Sequence, residues 1–250
     1  MQARGLTRKF GGFTAVDAIS FTVERGTILG LLGANGAGKS TTIRMLCGLL
    51  RSSGGTALVA GYDINTQPEL VKRNIGYMSQ RFSLYLDLTV RENIRFFAGV
   101  YGLPRDLAEE RLGWVLDMAG LAGHEDQLTA ELAGGWRQRL ALGCAILHRP
   151  PIVFLDEPTA GVDPLSRRDF WELINGLAEA GTAVLVTTHY LDEAEYANRL
   201  LLIHSGRVIA EGSPGELKRR AQESSGSNHS LTLEQVFVRL IEAQAAEAST

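Results

Sequence analysis

Nine consecutive residues, Gly33-Ala34-Asn35-Gly36-Ala37-Gly38-Lys39-Ser40-Thr41, satisfy the pattern G-x-x-x-x-G-K-[ST] between an apolar run and a helical pattern. The chemistry requires these types. Glycines let backbone N–H groups wrap phosphates, a helix start adds positive potential, Lys39 reaches the β- and γ-phosphates, and the Ser40 hydroxyl can bind Mg²⁺. A plain glycine-rich turn is the alternative, and the flanking strand and helix weigh against it. A second apolar run ends in Asp156-Glu157. Carboxylates cost too much to bury without a task, and the carboxyl ends of strands are where ligands bind in such sheets. Asp156 is expected to hold Mg²⁺, directly or through water, and Glu157 to polarise an attacking water, unless both merely open the turn before Pro158. Two further runs end in Ser79-Gln80 and in Thr187-Thr188-His189. Alone, Gln80 or His189 reads as structural; four polar tips on one sheet edge read as a site.

The elements that must position these groups are legible from periodicity. Thr27–Leu32, Ile75–Met78, Ile152–Leu155 and Ala183–Val186 are apolar on both faces, as strands buried in a parallel sheet are. Helical spacing follows each chemical motif: Ile43, Leu46, Cys47 and Leu50 after Lys39, and Phe170, Leu173, Ile174 and Leu177 after an Asp163 cap with Pro164 at the first helical position. The alternation predicts an α/β fold. From about 83 to 149 the patterns are helical only, opened by a capping box at Thr89-Val90-Arg91-Glu92 with Ile94, Phe97 and Tyr101 continuing the stripe. The first 30 residues and Thr56–Asp63 alternate instead, predicting a small antiparallel sheet beside the core. Residues 1–220 therefore read as one domain and 221–230 as a flexible polar linker. Residues 231–250 read as an amphipathic helix. Thr232 and Gln235 cap it, Leu231 and Val236 are spaced as a staple, and Leu233, Val236, Phe237, Leu240 and Ile241 form its apolar face. Packing on its own domain is the favoured role for that face, and docking on a partner the other.

Composition narrows the class. With 250 residues, 45% hydrophobic, and 25 basic against 28 acidic residues for a net charge of −3, the chain can bury a core and carries no basic excess for nucleic acid or anionic lipid. Its 2 Cys, Cys47 and Cys144, lie among apolar neighbours and suit reduced, buried thiols. No stretch approaches the ~18 apolar residues of a membrane span.

In these motifs and their order the sequence resembles the ATP-binding subunits of ABC transporters, over about residues 3 to 217. The motifs are the phosphate loop, the Q-loop glutamine Gln80, the signature segment Leu132–Gln138, Asp156 with Glu157, the D-loop Thr159–Asp163 and the switch histidine His189. The resemblance implies a P-loop NTPase (RecA-like) core with a flanking antiparallel β-subdomain and an inserted α-helical subdomain. It implies ATP and Mg²⁺ as ligands, with Ser40, Gln80 and Asp156 toward the metal, and two domains sandwiching two ATP molecules head to tail. Ala133, Gly134, Gly135 and Asp163 would then meet the nucleotide across that dimer, and Phe10 would stack on adenine; Phe13 is a rival, and a core role for Phe10 the other possibility. Within the family the chain is most similar to the drug-exporter type that works with ABC-2-class permeases, and to the C-terminal nucleotide-binding half of YbhF-like fused proteins. Phe82-Ser83-Leu84-Tyr85, Gly135–Leu142 and Thr188–Tyr196 carry that likeness. The implied partners are a second nucleotide-binding domain, as homodimer or fused half, and an integral-membrane permease; the apolar residues Phe82, Leu84, Tyr85 and Leu86 beside Gln80 read either as its docking site or as ordinary core. Nucleic acid is not expected, and membrane contact at the cytoplasmic face of the plasma membrane comes only through the permease. The sequence departs from the usual L-S-G-G-Q at Ala133 and Trp136. Ala133 lacks a hydroxyl for the γ-phosphate, so slower or looser closure is expected; Trp136 reads as an interface anchor or a lid over ribose. Non-transport relatives are disfavoured because no heptads or basic stripe separate the phosphate loop from the signature, and a nucleotide-gated binder without hydrolysis is opposed by Glu157 and His189. No N/T-K-x-D-type segment supports GTP.

Overall fold

A computed structural model describes residues 1–80, 84–225 and 231–247. Ten strands and eight α-helices follow in the order β1 (Gln2–Phe10), β2 (Phe13–Thr22), β3 (Ile28–Leu32), α1 (Lys39–Leu46), β4 (Gly54–Val59), β5 (Tyr62–Asp63), α2 (Pro68–Arg73), β6 (Ile75–Met78), α3 (Val90–Val100), α4 (Arg105–Ala119), α5 (Gly134–Ala145), β7 (Ile152–Asp156), α6 (Pro164–Glu179), β8 (Ala183–Thr188), β9 (Arg199–His204), β10 (Arg207–Gly212), α7 (Pro214–Ser225) and α8 (Leu233–Glu247). The central sheet has the order β10-β9-β3-β8-β7-β6, with only the β10/β9 pair antiparallel. The alternating N-terminal segments form a separate antiparallel sheet, β2-β1-β4-β5. Between Leu84 and Arg149 the described residues form helices and no strand.

The four doubly apolar runs are strands because both faces of the central sheet are covered. Along β7, Ile152 and Phe154 face one cluster with Ile43 and Leu46 of α1, while Val153 and Leu155 face the other with Phe170 and Ile174 of α6. This is period-two alternation between two dry layers, invisible as polarity because neither layer is wet. Register then aligns the functional tips. Leu32 pairs with Thr188, Asp156 with Thr187, and Leu155 with Met78, so the loops leaving β3, β8, β7 and β6 open on one edge.

Helix starts follow the anticipated chemistry. Thr89 and Glu92 make the reciprocal capping box of α3, and Asp163 accepts from the N–H groups of Leu165 at 3.1 Å and Ser166 at 3.0 Å with Pro164 behind it. Thr232 and Gln235 cap α8 reciprocally, and Leu231, Leu233 and Val236 are buried where α8 packs on α7 and β10, so its apolar face is spent within the domain. Helix ends were less legible. The pattern through Leu50 overshoots α1, which closes at Leu46 because Gly48 turns left-handed, φ +67°, against Pro68; Leu50 packs on the core from the following loop. Likewise α7 continues to Ser225, through the first half of the segment read as a linker, and 226–230 lie outside the described residues. Both cysteines are buried and unpaired with each other, and burial pushes their thiol pKa values up.

Candidate nucleotide-binding and catalytic site

The phosphate loop leaves β3 and enters α1 in a slot that only small residues fit. A Cβ on Gly33 would lie 2.3 Å from the Ile203 carbonyl oxygen of β9, and one on Gly38 would lie 2.5 Å from that of Ala15 in β2. Gly38 also holds φ +106°. Gly36 is different: φ is +82° with open space around it, so its role is the turn itself. The Gly206 N–H, donating to the Ala37 carbonyl at 3.1 Å, ties the loop to the β9–β10 turn.

Lys39 opens α1 only 4% exposed. Its ammonium donates to the carbonyls of Gly33 at 2.9 Å and Ala34 at 3.3 Å, and pairs with Glu157 Oε1 at 3.3 Å. A buried charge needs such partners, and this ammonium meets them with the loop that would cradle the phosphates. At the tip of β7, Asp156 Oδ1 accepts from Ser40 Oγ at 3.0 Å and Thr187 Oγ1 at 2.7 Å. Glu157 follows with φ +49°, a left-handed backbone costly for a residue with a Cβ and held here by the Glu157 N–H donating to Thr187 Oγ1 at 2.9 Å. Glu157 Oε2 accepts from Gln80 Nε2 at 3.0 Å and lies 3.2 Å from His189 Nδ1. The four strand tips therefore converge on one carboxylate.

Phe10, Phe13, Asn35, Lys39, Gln80 and His189 line a cleft of about 590 Å³ over this cluster, with Gly36, Gly38, Ser40, Thr41 and Glu157 in its floor. Phe10 is 46% exposed and Phe13 63%, which removes the core role considered for Phe10; the Arg8 guanidinium lies 4.5 Å over the Phe10 ring. The donor set fits Mg²⁺. Ser40 and Asp156 present a hydroxyl and a carboxylate oxygen to the same spot, and among the described residues no group of three or more His, Cys, Asp or Glu forms an all-protein cage. Hard Mg²⁺ takes one or two protein oxygens and completes its shell with phosphates and water.

Ala133, Gly134, Gly135 and Asp163 do not line this cleft. They form two neighbouring helix starts instead. A Cβ on Gly135 would lie 2.7 Å from Ser166 Oγ, so this glycine lets α5 and α6 begin side by side, a packing reason the sequence did not reveal. Ala133 is the N-cap of α5 and offers it no side-chain acceptor. Trp136 is half-buried with its ring 4.7 Å from that of His124, and it is not among the residues that line the cleft. Two supporting roles escaped sequence reasoning: that of Thr187, which serves both carboxylate positions, and that of Gln138, whose buried amide donates to the Pro158 carbonyl and joins α5 to the turn after Glu157. The polar end of an otherwise apolar strand was the available signal for Thr187.

A phosphate loop, an aligned acidic strand tip and a histidine just beyond the adjacent strand, on a mostly parallel sheet with a helical insertion, define a P-loop ATPase domain. A family model described as "ABC transporter" matches residues 16–160, more than half of the chain. The chain belongs to the ABC transporter family, as an ATP-binding domain. It is 49% identical over 241 residues to YbhF of Escherichia coli, described as a probable multidrug ABC transporter ATP-binding protein, spanning 96% of this chain but 41% of that protein. It is 44% identical over 229 residues to DrrA of Streptomyces peucetius, a daunorubicin/doxorubicin resistance ATP-binding protein, covering 91% of this chain and 68% of that one. Among solved structures, an ATP-binding subunit of an ABC transporter superposes with TM-score 0.83 at 32% identity, covering 96% of this chain and 98% of that one. A dimeric ATP-binding cassette in a post-hydrolysis state with ADP and Pi gives 0.76 at 26%, covering 85% and 97%. Among the described residues no helix is long and apolar enough to cross a membrane.

Proposed function

We propose that this chain hydrolyses ATP within a head-to-tail dimer and so powers an ABC-2-type membrane permease that exports drugs or other small molecules, from the cytoplasmic face of the plasma membrane. The observation carrying this reading is the convergence of Lys39, Ser40, Gln80, Glu157 and His189 on one cleft, with Asp156 bonded to Ser40; the drug-resistance relatives supply the cargo class. The arriving phosphates draw Lys39 away from Glu157 and the loop carbonyls, because phosphate oxygens are the stronger partners for a buried ammonium. Ser40 and Asp156 would hold Mg²⁺, which would supply positive charge to offset that of the phosphates. Glu157, released from Lys39, polarises the attacking water, with His189 and Gln80 fixing its carboxylate and sensing the γ-phosphate. Across the dimer, the start of α5, whose N-cap Ala133 offers no side-chain acceptor, brings backbone N–H groups to the partner's γ-phosphate.

Ala133→Ser tests the signature. A serine there caps α5 through its oxygen and still donates its proton to phosphate. Turnover should rise at least about tenfold, since a hydrogen bond to a charged group is worth ~1.5–3 kcal/mol. Unchanged steady-state phosphate release would remove the signature argument.

The permease dock is narrower than the sequence suggested. Leu84 is buried in the core and Phe82 lies outside the described residues, whereas Tyr85 is 45% exposed with its ring 4.6 Å from that of exposed Phe96. Buried Asn93 sets this loop, accepting from the Tyr85 N–H at 2.9 Å and donating to its carbonyl at 2.8 Å. Tyr85→Asp should reduce co-purification with the permease at least about tenfold while leaving basal ATPase activity in place. A complex that survives this change would move the dock elsewhere.

A further inference from the structure

One buried carboxylate is used by none of the chemistry above. Glu193, 2% exposed, stands at the first position of a short 3₁₀ turn four residues after His189. Its Oε2 accepts from two threonine hydroxyls, Thr159 at 2.8 Å and Thr188 at 2.9 Å. Thr159 lies two residues beyond Glu157 and Thr188 immediately before His189, so a single oxygen bridges the segments leaving β7 and β8. The other oxygen, Oε1, has no hydrogen-bond partner and lies 3.9 Å from Arg167 Nη1 of α6. Arg167 in turn donates from Nε to the Val162 carbonyl at 3.0 Å and covers the Tyr190 ring at 4.2 Å. Both segments are thus gripped twice, once by a threonine hydroxyl and once by Arg167.

We propose that Glu193 is a positioning residue for hydrolysis, coupling the Thr159–Asp163 segment to the His189–Tyr190 segment so that Glu157, His189 and Asp163 keep register with one another. This rests on the reading of Glu157 and His189 as the hydrolytic pair. A carboxylate bonded by two hydroxyls in a dry site is costly to isolate, since burial raises the Glu193 pKa while the threonines and Arg167 oppose that rise. The arrangement also explains why two threonines, rather than apolar residues, end β8 and follow Pro158 inside the core: Thr188 and Thr159 are both buried. Arg167 neutralises the carboxylate from a helix whose cap is Asp163, which places that cap in the same unit.

The test combines kinetics with amide exchange on the whole chain. Glu193→Ala should lower kcat at least tenfold with the KM for ATP within twofold, because the phosphate loop is untouched. Glu193→Gln, whose amide oxygen can accept both hydroxyls, should keep kcat within threefold, and Thr159→Val, which removes one bond at constant shape, should fall between them. In Glu193→Ala, peptides covering 159–163 and 189–192 should exchange faster while those covering 33–41 stay unchanged. Wild-type kcat in Glu193→Ala, or an equal loss in the Ala and Gln variants with weakened ATP binding and general acceleration of exchange, would overturn the proposal. Exchange confined to the two loops, in a protein whose wild type releases no phosphate, would support the coupling and overturn the hydrolytic reading instead.

Discussion

Glu157→Gln is expected to lower ATP turnover at least about 100-fold while changing ATP affinity by less than about threefold. The glutamine keeps the shape that meets Gln80 and His189, but it loses the negative charge that polarises water. It also loses the charge that competes with phosphate for Lys39, 3.3 Å away, so binding holds or tightens. Phosphate release and nucleotide titration of the same preparation read the two quantities. Turnover within a fewfold of wild type would assign the base elsewhere.

Lys39→Ala is expected to act on the opposite quantity. ATP affinity should fall at least about 100-fold, some 2.7 kcal/mol, because the variant removes the one ammonium aimed at the phosphates from a site that excludes water around it. Lys39 and Glu157 are 4% and 8% exposed, so the truncation also leaves a buried carboxylate without its counter-ion. The melting temperature without nucleotide should therefore fall as well, and added ATP should no longer raise it. An ATP-dependent rise equal to wild type would contradict the placement of the phosphates.

Much of this site was legible in the sequence because its parts are local or end on strands. The run Gly33–Thr41 carries its own chemistry, and the tips Gln80, Asp156-Glu157 and His189 follow runs whose continuous apolarity signals burial on both faces. Parallel register does the rest, since pairing of Asp156 with Thr187 and Leu155 with Met78 brings the tips level without further information. Caps at Thr89, Asp163 and Thr232 were legible for the same reason, their partners lying three residues away or fewer. What escaped depends on neighbours distant in sequence. Gly135 is small because Ser166 stands against it, Glu193 is buried because Thr159 waits 34 residues earlier, and Leu84 turns inward while Tyr85 turns out because Asn93 fixes a loop that has no period.

Two copies of this site are expected to close on ATP and to open after hydrolysis. The mass of Glu157→Gln in solution, measured by light scattering with Mg²⁺ and either ATP or ADP, tests this most directly. With ATP the mass should be about twice the chain's 27.1 kDa, and with ADP it should return to the single-chain value. The same mass with both nucleotides, whether monomer or dimer, would contradict ATP-driven closure.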